Sequence, residues 1–75
     1  MNFHIVQIRY NDGQPDMVIV SGAPSTSAAR KSVIEKMQES FQDVTIVSCC
    51  RATKEVAEDA EAQYNAISMN TRYFK

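Results

Sequence analysis

Seventy-five residues, 44% hydrophobic and 23% charged with a net charge of −1, describe one small folded unit, residues 1–75, rather than a disordered chain. A sequence pI near 5.7 excludes the broadly basic surface that non-specific nucleic-acid binding needs. A chain this short buries only about 60–65% of its unfolded surface, so a partner is a natural source of further stability.

No stretch approaches the ~20 apolar residues of a membrane span, and the apolar start, Phe3 to Ile8, lacks a basic leader. The chain is therefore expected to be a complete short reading frame. Cys49 and Cys50 are neighbours. In a strand they point to opposite faces and are poorly placed to bond each other, which suits a reducing cytoplasm.

Phe3 to Tyr10 (FHIVQIRY) has the β-branched and aromatic composition of a strand. Asn11 to Asp16 is dense in turn formers, and Met17 to Ser21 (MVIVS) is a second strand. A tight Asp12-Gly13 turn puts Pro15 in the ladder, whereas a longer loop ending at Asp16 avoids this. Both pair even-numbered with odd-numbered residues. Val6, Ile8, Tyr10, Met17 and Ile19 are then expected on one face. Phe3, Ile5, Val18 and Val20, with Gln7 and Arg9, are expected on the other.

Ser25 to Phe41 carries Ala29, Val33, Met37 and Phe41 at four-residue spacing, widened by Ile34. This predicts an amphipathic helix, opened by Pro24 and an N-cap from Ser25, Thr26 or Ser27. Val44 to Arg51 (VTIVSCCR) reads as a third strand, and Thr53 caps a second helix from Lys54 to about Met69. Its apolar stripe of Val56, Ala60, Tyr64 and Ile67 is slim. The expected fold is α+β: a three-stranded antiparallel sheet with two helices, in the order ββαβα, with the first strand central. Val6, Ile8, Met17, Ile19, Val33, Met37 and Phe41 form the expected core.

Both sheet faces are apolar near the middle of the hairpin, whereas a sheet with one wet face alternates cleanly. The first helix covers one face. The other needs the second helix, a second copy or a partner, and Val18 is placed on it. Glu55, Glu58 and Asp59 share a side of the second helix. They present either a solvated face or a negative surface that steers toward a basic partner. Tyr73 supplies a terminal aromatic contact. These five residues are the candidate partner-binding set. Arg9, Arg30, Lys31 and Arg51 form an alternative nucleic-acid-binding set, although no RNA-binding signature or phosphate loop accompanies them.

His4, Cys49 and Cys50 offer three metal ligands at most, without a spaced Cys or His pair. No orienting group completes a nucleophilic centre. Neither a metal, a cofactor nor a catalytic activity is expected.

The hairpin from Phe3 to Ser21, the helix opening Ser25-Thr26-Ser27-Ala28-Ala29 and the returning strand Val44 to Cys50 together resemble, in layout, short phage-encoded proteins that block host machinery, the anti-CRISPR proteins among them. The resemblance spans about fifty residues and carries no motif. It implies a stoichiometric, cofactor-free inhibitor of a host protein or complex. The other readings are a small nucleic-acid-binding domain and a structural homodimer.

Overall fold

The computed structural model describes residues 2–70. The order is β1 (Phe3–Tyr10), β2 (Pro15–Ser21), α1 (Thr26–Glu39), β3 (Val44–Ala52), α2 (Lys54–Tyr64) and β4 (Ile67–Asn70). The four strands make one sheet in the order β3-β1-β2-β4. β1 is antiparallel to both β2 and β3, while β4 runs parallel to β2. The expected three-stranded antiparallel sheet is thus corrected to a four-stranded mixed one.

The correction originates at the end of α2. Asn65 takes a left-handed conformation (φ 51°, ψ 45°) and stops the helix after Tyr64. Asparagine tolerates that conformation without glycine's freedom. Ile67, read as the last residue of the helical stripe, is instead the first of β4, opposite Val18.

The two crossovers, β2 to β3 and β3 to β4, run in opposite directions across the sheet. Right-handed crossovers of opposite direction place their helices on opposite faces, and the two core clusters follow. Under α1 lie Val6, Ile8, Val18, Val20, Ala29, Val33 and Met37. Under α2 lie Ile19, Ala57 and Ala60, flanked by Phe3, Ile5 and Met17. Ser25 accepts a hydrogen bond from the Ala28 N–H (3.1 Å) at the start of α1, and Thr53 accepts one from Val56 (3.3 Å) at the start of α2.

These clusters also correct the face assignment. Tyr10 donates its N–H to Gln14 O, and Gly13 donates to Tyr10 O, both at 2.9 Å. That closes a three-residue loop with Gly13 at φ 88°, a turn followed by a left-handed bulge residue. An odd loop pairs like with like: Val6 faces Val18, and Ile5 faces Ile19. Pro15 does enter the ladder, opposite Arg9. It costs no hydrogen bond, because the pair next to a bonded pair is a non-bonded one. Met17 and Ile19 therefore leave the α1 core, and Val18 and Val20 replace them. Phe41 leaves it as well and is 98% exposed.

Candidate functional site

α1 packs chiefly on β3 and β1, and α2 on β1 and β2. The displacement of α2 toward β2 bares the β3 half of its face. What remains is a groove of about 840 Å³. Ile5, Gln7, Met17 and Cys50 form its floor. Val56, Asp59, Gln63 and Tyr64, one flank of α2 by their spacing, form a wall. Val47 stands on the opposite rim. Between Gln7↔Ser48 and Ile8↔Ile46 it is the extra residue of a bulge, which re-aims a side chain and kinks an edge strand. Val47, Val56 and Tyr64 are 54%, 51% and 63% exposed. Among the described residues, the outer edge of β3 pairs with no other strand, leaving a row of backbone groups able to accept another chain.

The structure distributes the candidate partner-binding residues unevenly. Asp59 lines the groove, and Glu55 and Glu58 are exposed on the same helix. Glu61 sits on the far flank, where its carboxylate accepts a hydrogen bond from Ser68 (3.4 Å). Val18 is not on the open face: the same-parity register turns it under α1, where it is fully buried. Its expected role at a surface falls instead to Met17, its neighbour on the groove side. Tyr73 lies outside the described residues.

The candidate nucleic-acid set is divided. Arg9 lines the groove on the α2 side. Arg51 is paired with His4 on the α1 side, and Arg30, close enough to act on the Cys49 thiol, is on that side too. Lys31 is exposed on α1.

The two cysteines are free thiols on opposite faces. Cys49 lies at the first turn of α1, its sulfur 3.8 Å from Thr26 O, and burial pushes its pKa up. Cys50 is exposed, its sulfur 3.9 Å from Ile5 O, and lines the groove. His4 is fully buried in the α1 layer, and among the described residues neither ring nitrogen has a hydrogen-bond partner. Burial, and secondarily the Arg51 guanidinium, lower its pKa from the usual 6.5. The imidazole is held neutral and enclosed.

Two features escaped the sequence reading. The bulge at Val47 follows from pairing, and no residue type announces it. The exposure of Phe41 is concealed as well: it keeps the four-residue spacing of the buried residues, and no glycine at Phe41-Gln42-Asp43 marks the end of the helix.

In comparisons with known proteins, no family model, no curated protein and no solved structure matches this chain. Among the described residues, no helix is long and apolar enough to cross a membrane.

Proposed function

We propose that the protein is a non-catalytic binding module that grips a partner protein through the groove between α2 and β3. The observation that carries the reading is the exposure of Val47, Val56 and Tyr64 around an apolar floor. Large apolar and aromatic side chains clustered about a concave, uncovered surface are the usual makings of an interface. The acidic outer side of α2, with Glu55, Glu58 and Asp59, adds long-range attraction toward a basic surface. A stoichiometric inhibitor of the phage type, working on a host protein in the reducing cytoplasm that free thiols favour, is the form of action we assign to it.

The test compares wild type with Val47→Glu and Val56→Glu, each immobilised and exposed to a bacterial lysate. Both positions are exposed, so circular dichroism should be unchanged. A charge buried without a partner in the complex should abolish retention of the bound protein. Retention by both variants would sink the groove reading.

A further inference from the structure

α1 ends in a closed loop of backbone bonds: Phe41 N–H donates to Gln38 O (3.0 Å), and Gln42 N–H donates to Met37 O (2.9 Å). This paired closure requires the residue after the cap, here Phe41, to be left-handed, and its φ is 58°. Glycine usually occupies that place, because a β-carbon there crowds the following carbonyl. A phenylalanine could be tolerated if its ring were packed into the core. This ring is 98% exposed and gains nothing from the fold. The chain holds a large aromatic in a strained conformation, fully in water, at a site where glycine would fit better. Strain kept at a surface position points to a use outside the fold.

The surroundings say what kind of use. Phe41 borders a shallow depression formed with Tyr10, Asn11, Asp12 and Gln14 at the hairpin tip and with Gln42 and Asp43. Among the described residues, two carboxylates and no cation line it. We propose that Phe41 is an aromatic anchor that inserts into an apolar, basic-rimmed pocket on a partner protein, with Asp12 and Asp43 meeting the rim. The inference rests on the reading of the chain as a protein-binding module and adds a second contact to it, independent of the groove. A second copy of the chain is the wrong occupant. A two-fold contact sets each patch against itself and would oppose Asp12 and Asp43 to their own copies.

Phe41→Gly separates the two roles of the residue. With the backbone strain relieved, the melting temperature should rise by roughly 4–8 °C. On the immobilised chain, the protein that wild type retains from a bacterial lysate at ~0.15 M salt should be lost. Phe41→Ala, which keeps the strain and removes the ring, should lose it without the rise in melting temperature. An Asp43→Lys variant should slow association and leave the melting temperature close to wild type; Asp12 is kept, because its carboxylate accepts the Gln14 N–H at 3.0 Å and holds the turn.

A stabilised Phe41→Gly chain that still retains the protein overturns the anchor and leaves the groove reading standing. A destabilised Phe41→Gly chain overturns it too, since the ring would then serve the fold. Self-association of wild type that Phe41→Gly abolishes would make the occupant a second copy, contrary to the proposal. A wild-type chain that retains nothing removes the binding-module reading, and the anchor with it.

Discussion

The two faces of the sheet are built from the same strands yet finished differently. Beneath α1, Val6, Val18, Val20 and Val33 are fully closed from water, with Ile8 nearly so. Beneath α2, among the described residues, only Ile19, Ala57 and Ala60 are buried, and Val56 and Tyr64 look outward. α1 brings a wide stripe of Ala29, Val33 and Met37 to its side, whereas α2 brings two alanines. Alanine buries little area but lets a helix sit close, so α2 docks with few side-chain contacts. One side of the molecule supplies stability. The other keeps the exposed apolar surface on which the proposed function rests.

The contrast is broken most severely at the paired isoleucines of β1. Ile8→Ala should destabilise by about 2–5 kcal/mol, because α1 and the sheet enclose the cavity it leaves. Ile5→Ala, on the partly open side, should cost less than half as much. Denaturant unfolding of the two variants checks the order, and equal losses would mean that both faces are equally closed.

A second difference is chemical. His4 is enclosed on the α1 side, and its folded pKa lies below the unfolded value of 6.5. The unfolded chain therefore takes up the proton first, and stability rises with pH through this window. The contribution is fully present above about pH 6.5 and is lost as pH falls toward the lowered folded value. Melting temperatures between pH 7.5 and 5.5 should decline on the acid side. His4→Leu should flatten that decline and should not destabilise at pH 7, since it removes two unpaired buried nitrogens, each worth about 1–3 kcal/mol. An unaltered slope would show that another group is responsible.

The cysteines sharpen the comparison at smaller scale. Cys49→Ser places a hydroxyl at the partly buried α1 side and should cost roughly 1 kcal/mol. Cys50→Ser, in the open groove, should stay within about 0.5 kcal/mol. Reductant should leave the melting temperature of wild type unchanged.

The smallest effect concerns Tyr10, at the α1 end of the hairpin. Its hydroxyl donates to Asp16 at 2.7 Å. That bond, followed by burial and the charges of Asp16 and Asp12, pushes its pKa up to about 12. Asp16→Asn should bring the ultraviolet titration of this tyrosine back toward 10.

Several features were legible in the chain itself. β1 and β2 follow from β-branched runs around a turn-rich break. Ser25 and Thr53 cap their helices, and β1 lies in the interior of the sheet, a place it shares with β2. These are local matters of propensity, capping and periodicity, and neighbouring residues suffice to decide them. Of the candidate site, the acidic residues of α2 were legible for the same reason.

Tertiary structure decided the rest. Whether Val18 or Met17 faces the groove depends on one residue in the hairpin loop. Because side chains alternate with a period of two, the left-handed Gly13 reverses every assignment on β2. Ile67 fits a helical stripe as well as a strand, and it became β4 because the free edge of β2 offered it backbone partners. Phe41 keeps the spacing of the core residues before it, but the helix closes two residues short of it, at Glu39, and swings its ring into solvent. Periodicity marks which residues are apolar. Only the closure of loops and edges determines which of them the fold encloses.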